Sequence, residues 1–495
     1  MTYIQKLSYQ SQTRHLDHQR GNTMNKTKIA VALALTSVVG TNAMATNGYF
    51  AHGYGGAEKG MAGAGVAKGQ SSVSTANNPA NLLQVGERTD LGLSIFSPIR
   101  SYSVEGGPAF PAGFSPVIGS PALNCNPGAQ APVCQVPFSL NPGSEDSGRE
   151  WFAIPSFGIS RKIDNDTAWG ISAYGNGGMN SDYGGGSARF LNPNTNSIVD
   201  GPGTFGASKT GVDLSQLFVN TTLAYRINET LDVGVSVIGV MQRFAAYGLA
   251  PFANNSLDPN NLTNKGHDLS FGYGFKIGAN LNLSEWFTVG ASYQTKMQMS
   301  KLDDYAGLFA QGGSFDIPAT YTVGIAYKPT KSSTLLVDYQ RINYSDVPAL
   351  GNGIGSLLSP ATCTDALNNF LISGNQAATG SGCLGGANGA GFGWEDVKVI
   401  KIGYEWTAGD DTYRLGYSTT DQPIPDTEIN FNLLAPGVVE DHFTAGYTMK
   451  HNKKDITFFI MYAPTVSVSG TSAFDPSQTI TIKMHQFEFG IDYQF

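Results

Sequence analysis

Charge is scarce in this chain: Asp, Glu, Lys and Arg make up 14% of its 495 residues, against roughly a quarter in an ordinary soluble domain. A length that would otherwise suggest two or more soluble domains therefore comes without the charge to solvate them. Long apolar runs are scarce too. The longest, 29–39, falls far short of the ~20 residues a spanning helix needs, which excludes a helical membrane protein. Basic character is missing: the net charge is −8, and no polybasic run offers a face to nucleic acid. The G-x-S-x-G and H-E-x-x-H signatures are absent and the seven histidines are scattered, so an enzyme is disfavoured and neither cofactor nor metal is expected.

Cysteine occurs only at Cys125, Cys134, Cys363 and Cys383, in Gly- or Pro-rich stretches with no CxxC spacing. This usage suits an oxidising compartment. Of the three possible connectivities, two local disulfides, Cys125 with Cys134 and Cys363 with Cys383, are expected. Export is also written at the N-terminus. Met24, Lys26 and Lys28 precede the apolar run, and Ala43-Met44-Ala45 follows it as a small-x-small cleavage site, so 24–45 reads as a signal peptide. Residues 1–23 read as an upstream extension or as a long basic-side region of the same signal.

What the chain has in abundance is glycine, at 61 positions, and alternation of period two. From 88 onward, segments of about ten residues alternate apolar with small or polar residues, as strands of a barrel in lipid do. Phe271, Tyr273, Phe275, Ile277 and Leu281 oppose Gly272, Gly274, Lys276, Gly278, Asn280 and Asn282; Val289, Ala291, Tyr293, Met297 and Met299 oppose Gly290, Ser292, Gln294, Lys296, Gln298 and Ser300. Short turns at 163–167, 228–230, 284–286, 329–333, 408–411 and 452–454 alternate with long loops at 106–148, 180–209, 248–266, 301–314, 347–393, 421–439 and 470–479. Six turns and seven loops join about fourteen strands, with both barrel ends on the periplasmic side. The last strand carries Phe487, Phe489, Ile491, Tyr493 and Phe495 on one face. Such an edge needs closure into a barrel, and its terminal Phe suits the barrel-assembly machinery as a biogenesis partner. The expected class is an all-β transmembrane antiparallel barrel, 88–495, in the bacterial outer membrane. Its expected surroundings are outer-membrane lipid and lipopolysaccharide, and it is expected to be a monomer.

Residues 46–87 do not alternate and are rich in Gly and Ala. Their glycines miss both nucleotide patterns: Lys68 stands where the third glycine of a dinucleotide loop belongs, and Val66 where a phosphate loop needs lysine. A hatch plugging the lumen is expected, because about fourteen strands enclose too wide a space for side chains alone. Asn78-Pro79-Ala80 should form a turn within it.

The small-residue N-terminus with its Asn78-Pro79-Ala80 turn, followed by a barrel of this strand count ending in Phe495, resembles the FadL/TodX family of outer-membrane transporters for long-chain fatty acids and other hydrophobic compounds. The resemblance spans 46–495. It implies gated passive uptake of a hydrophobic small molecule such as a fatty acid, captured between outer loops, held in the lumen and released through a lateral opening at a kink in the third strand. Asn176-Gly177-Gly178 fits that kink, or an ordinary strand end. A carboxylate cargo needs cations, and alternation points Lys276, Lys296, Lys401 and Arg414 inward as candidates; for any single one of them, lumenal ion pairing with the likewise inward Asp338 and Glu405 is the preferred reading. Leu249 and Phe252 in one loop and Leu308 and Phe309 in another suit an apolar capture groove or packing on the rim. A general diffusion porin for small polar solutes is the alternative function, and an outer-membrane lipid-modifying enzyme a more distant one.

Overall fold

Alternation of period two becomes fourteen antiparallel wall strands in the computed structural model, which describes residues 47–108, 138–192, 197–451 and 454–495. The segments 1–23 and 24–45 and the expected Cys125–Cys134 bridge lie outside the described residues. In order the strands are β1 (Arg88–Glu105), β2 (Phe152–Lys162), β3 (Thr167–Asn180), β4 (Gly211–Arg226), β5 (Leu231–Tyr247), β6 (Asp268–Ser284) and β7 (Phe287–Gln294). They continue with β8 (Thr320–Thr330), β9 (Ser333–Ile342), β10 (Val397–Ala408), β11 (Asp411–Thr420), β12 (Asp441–His451), β13 (Lys454–Thr471) and β14 (Thr479–Gln494). Each pairs with its sequence neighbours, and β14 closes on β1 from Asp90↔Gln494 to Glu105↔Thr479. Closure leaves the sheet no edge, which is what allows strands to span hydrocarbon at all.

The strand faces sort by solvent. Phe271 (58% exposed), Tyr273, Phe275 and Ile277 of β6 point outward with Leu223 of β4 and Phe489 of β14, an arrangement that suits lipid and would aggregate in water. Near the short turns, the rings of Tyr404, Trp406, Tyr413 and Tyr447 follow one another at 5.3–5.8 Å, as in the aromatic girdle of a membrane interface.

One expected face is corrected. Lys276 pairs with Gln294, but Gly272 pairs with Met299, so the register slips by one residue after β7. A slip of one reverses every following side chain. Met297 is therefore buried and Met299 packs against the buried core, while Lys296 turns outward to Asp316 at 3.4 Å and does not face the lumen.

The hatch fills the lumen. Short helical turns at Gly56–Lys59, Ser72–Ala76, Pro79–Asn81 and Leu82–Val85 are held by side chains from around the wall. Asp492 accepts from Gly56 N at 2.5 Å, Asp338 from Gly65 N and Val66 N at 2.7 and 2.9 Å, Thr444 from Ala62 N at 2.8 Å and Asp90 from Ser72 N at 2.7 Å. Asn78 caps the Pro79–Asn81 turn by accepting from Ala80 N, and donates from Nδ2 to Val66 O, Ala279 O and Asn280 Oδ1 at 2.8–3.1 Å. Its amide thus joins the hatch to itself and to β6.

The inward glycines have a steric purpose here. A Cβ on Gly290 would stand 2.5 Å from Val66 O, and one on Gly416 would stand 2.3 Å from the Met61 carbonyl carbon. Hatch backbone lies directly against wall backbone at both. Gly290→Leu should leave the strand ladder and heat-modifiable mobility intact while unseating the hatch, at a cost of about 1–3 kcal/mol of overpacking. The measurement is planar-bilayer current, which should rise from near silence to sustained openings.

Candidate functional site

The wall is incomplete at one place. Strands β1 and β2 pair from Arg88↔Ser160 to Phe96↔Phe152, but β2 and β3 pair only between Lys162↔Ala168 and Ser156↔Tyr174. Above Tyr174, β3 keeps β4 as its partner and loses β2, and its register to β4 slips between Gly175 and Gly177, leaving Asn176 as a bulge. A bulge next to glycine bends a strand and frees its other edge.

The first residues of the hatch occupy that edge. Ala51 N donates to Asn176 O at 2.8 Å and Gly178 N donates to Tyr49 O at 3.1 Å, with Phe50 bridged to Gly177. Contact is so close that a Cβ on Gly177 would lie 1.9 Å from Tyr49 O. The Asn176 side chain accepts from Tyr54 Oη at 3.2 Å and donates to Gln216 at 3.0 Å, and Gln216 donates to Gln242 at 2.8 Å. Behind the segment, the rings of Tyr49, Phe50, Tyr344 and Trp394 pack at 5.0–6.0 Å. Below the gap lies a narrow crevice lined by Lys59 and Tyr54 of the hatch, Asp492, Pro155 and the lipid-facing Leu93.

Over the barrel mouth, four of the loop residues singled out in the sequence meet. Leu249 and Phe252, from the β5–β6 loop, and Leu308 and Phe309, from the β7–β8 loop, line one apolar cavity. Phe244, Phe392, Phe431, Leu384 and Leu434 complete much of its wall, and among the described residues none that lines it is charged. Its free space is only about 30 Å³, so the rings fill it and a small molecule enters only as they part. Leu434 links the cavity to the gap, since its carbonyl accepts from Ser181 Oγ, just beyond β3, at 2.7 Å.

A cluster of phenylalanines roofs the cavity. Phe252 packs at 5.2–5.7 Å on Phe138, Phe205, Phe431 and Phe474, so five separate outer loops meet at one ring. The Cys363–Cys383 disulfide stands beside it. Leu384, the next residue, runs alongside the β5–β6 loop, donating from N to Asn255 O and accepting from Leu257 N, both at 3.0 Å.

The lumenal cations are engaged with the hatch and its supports. Lys276 donates to Ala76 O, Lys401 donates to His52 O at 3.0 Å, and Arg414 bonds Glu405 at 2.7 Å and Gln70 at 3.3 Å. Glu405 also takes Lys68 at 2.5 Å, and Glu488 pairs with Lys59. Beside the hatch, Lys276, Lys401 and Asp338 line one small polar chamber. Asn77 Nδ2 and Gln294 Nε2, in the same chamber, have no hydrogen-bond partner among the described residues.

The fourteen-strand barrel has counterparts among known proteins. Residues 32–486 match the family described as outer membrane protein transport protein (OMPP1/FadL/TodX). The chain belongs to the FadL/TodX family. Three solved structures share its fold. The Pseudomonas putida toluene transporter TodX matches with a TM-score of 0.58 and 16% identity over 90% of this chain and 98% of its own. A Pseudomonas aeruginosa FadL homologue matches at 0.57 and 14% over 90% and 99%, and the Ralstonia pickettii toluene transporter TbuX at 0.50 and 18% over 90% and 98%. Comparison with curated protein sequences returns no match. The chain is thus an outer membrane transport protein.

Sequence inspection missed much of this family member's cavity. Phe392, Phe431, Leu384 and Leu434 sit in loops remote from the two that were singled out, and their signal was only a bulky apolar residue amid Gly and Asn. Replacing Cys363 and Cys383 together by Ser should release Leu384 from the β5–β6 loop. Titration of an apolar fluorophore into the folded barrel should then show affinity about tenfold weaker, as a disordered loop must be re-ordered on binding, with heat-modifiability unchanged.

Proposed function

We propose that the chain takes up an uncharged hydrophobic compound by gated passive diffusion: the loop-roofed cavity holds the cargo, and the gap between β2 and β3 releases it sideways into the membrane. The observation carrying this reading is the cavity under the outer loops, apolar in lining and linked through Leu434 to the end of the broken strand. Apolar cargo transfers favourably into such a lining, at about 25 cal/mol per Å² removed from water. It gains nothing from the charged seat of the hatch below. A sideways route avoids that barrier.

Long-chain fatty acids form the second reading, favoured by one feature. The polar chamber holds two ammonium groups, Lys276 and Lys401, with amide donors from Asn77 and Gln294, a donor set that suits a carboxylate.

Native mass spectrometry of delipidated protein re-exposed to an alkylbenzene or to a long-chain fatty acid separates the two. Neutral cargo should be retained and lost in Phe309→Asp, which buries a charge in the lining. Preferential retention of the fatty acid, abolished by Lys276→Met with Lys401→Met, would transfer the assignment to the second reading. Retention of polar solutes alone, with large steady conductance, would instead describe an open porin.

The lateral step has its own test. Deleting Asn176 removes the bulge and restores regular pairing of β3. Cargo should still bind in the cavity, but its delivery into vesicles should fall by about tenfold or more if the gap is the route. Undiminished delivery by that variant would place the exit elsewhere.

A further inference from the structure

Above the apolar belt of the wall, on its outer face, two arginines and a histidine gather around one carboxylate. Along β5 the outward residues run Val235, Val237, Met241 and then Arg243; on β4, Asp213 shares the parity of the exposed Val219 and Leu223. Asp213 Oδ2 lies 2.6 Å from Arg149 Nη1, 3.3 Å from Arg243 Nη2 and 2.9 Å from His267 Nε2. Phe271 stands opposite Met241 and Leu269 opposite Arg243. The cluster therefore begins one rung above the last outward aromatic of β6, at the depth of the outer-leaflet headgroups.

Its charge is unbalanced. One carboxylate faces two guanidinium ions, leaving a net +1 before any proton on His267, while the neighbouring Lys209–Asp182 pair, at 2.8 Å, is neutral. Arg149 keeps 47% of its side chain exposed. Trp151, two residues on, is 63% exposed, and Leu269 is 44% exposed. Cations with fork geometry beside bare apolar surface match an anion that carries acyl chains: its phosphate would sit on the guanidinium edges and its chains along the belt.

We infer that Arg149, Arg243 and His267 form a docking site for the phosphate of an outer-leaflet glycolipid. The site also closes the top of the gap in the wall. Arg100 of β1 donates to both Asn180 O, at the end of β3, and Arg149 O, before β2, and Arg149 reaches across β3 to Asp213 on β4. Arg149, which grips the lipid, thus also spans the two sides of the opening. This inference rests on the outer-membrane setting and is independent of the cargo.

The test titrates purified full-length protein, delipidated in neutral detergent, with diphosphorylated lipid A, its dephosphorylated counterpart and inorganic phosphate, with native mass spectrometry as the readout. The phosphorylated glycolipid should bind at least about tenfold tighter than the dephosphorylated one, and Arg149→Gln with Arg243→Gln should erase that difference. Asp213→Asn keeps both guanidinium ions and removes the competing carboxylate, so it should tighten glycolipid binding severalfold; it decides the matter should the double variant fail to assemble. Equal binding of the two glycolipids would overturn the site. Displacement of the lipid by millimolar inorganic phosphate would reduce it to a general phosphate site. Unchanged or weaker binding in Asp213→Asn would leave the cluster as a structural clasp alone.

Discussion

In hydrocarbon, each backbone N–H and C=O must find its partner within the protein, because no water is there to replace it. Thirteen neighbouring pairs of wall strands and the closure of β14 on β1 meet that demand by ladder bonds. The upper half of the β2–β3 seam does not. Asn176 O and Gly178 N would be orphaned at the rim of the gap, and the hatch supplies what β2 withholds through Ala51 N and Tyr49 O. A defect that costs several kcal/mol in an ordinary barrel is tolerated here because part of the lumen's own filling completes it. On the proposed reading, displacing the hatch N-terminus from β3 would break these two bonds and expose the gap.

The seat of the hatch follows from that constraint. The plug must be held firmly enough to keep the 47–51 segment at β3, and apolar packing does part of this, with Met61 and Val66 on Leu336 and Leu82 on Ala168 and Ala224. Close backbone approach at Gly290 and Gly416 supplies contact, and buried carboxylates at Asp338, Asp90 and Asp492 accept from hatch amides. Buried ions bring desolvation costs of their own, so the Lys59–Glu488 and Lys68–Glu405–Arg414 groups add little net stability over apolar packing. What they contribute is orientation. Each pairing is satisfied only in one seating of the hatch, which gives a Gly-rich segment a defined position without a hydrophobic core of its own.

Strand number, the faces of most strands, the loop-length rhythm and the start of the wall at Arg88 were legible in the sequence, because pleat and lipid impose a period of two wherever a ladder is regular. Asn176-Gly177-Gly178 and Asn78-Pro79-Ala80 were legible as local backbone chemistry. Failure came where regularity stops. Lys296 stands beyond the last ladder rung of β7, and one slipped residue reversed its face. The cavity was half legible: apolar residues out of place in loops could be seen at 249, 252, 308 and 309. That loops from the far side of the barrel bring Phe392, Phe431 and Leu434 to them depends on the circumference closing, a three-dimensional fact with no local signature. The inward cations were visible, but their partners are hatch carbonyls, and an acceptor present in every residue cannot be read from residue type.

The vertical order of polarity sets what can cross. A molecule arriving from outside meets the phenylalanine roof, where Phe252 is both the centre of the five-loop cluster and part of the cavity lining. Admission thus requires that rings pack on the cargo as well as on one another, which favours apolar and aromatic shapes over solvated ones. Below the cavity, the Tyr49–Phe50–Tyr344–Trp394 packing and then the ion-paired seat of the hatch stand in the way. An apolar molecule gains nothing by descending into that region and would have to displace paired charges to do so. On the proposed reading the cargo steps sideways past the bulge at Asn176, where apolar Leu93, Ile154, Pro155 and Phe459 stand beside polar Lys59, Ser94 and Asp492. A neutral cargo that partitions from water to cavity to bilayer moves down its hydration free energy, so the proposed passive route needs no energy source beyond that partition.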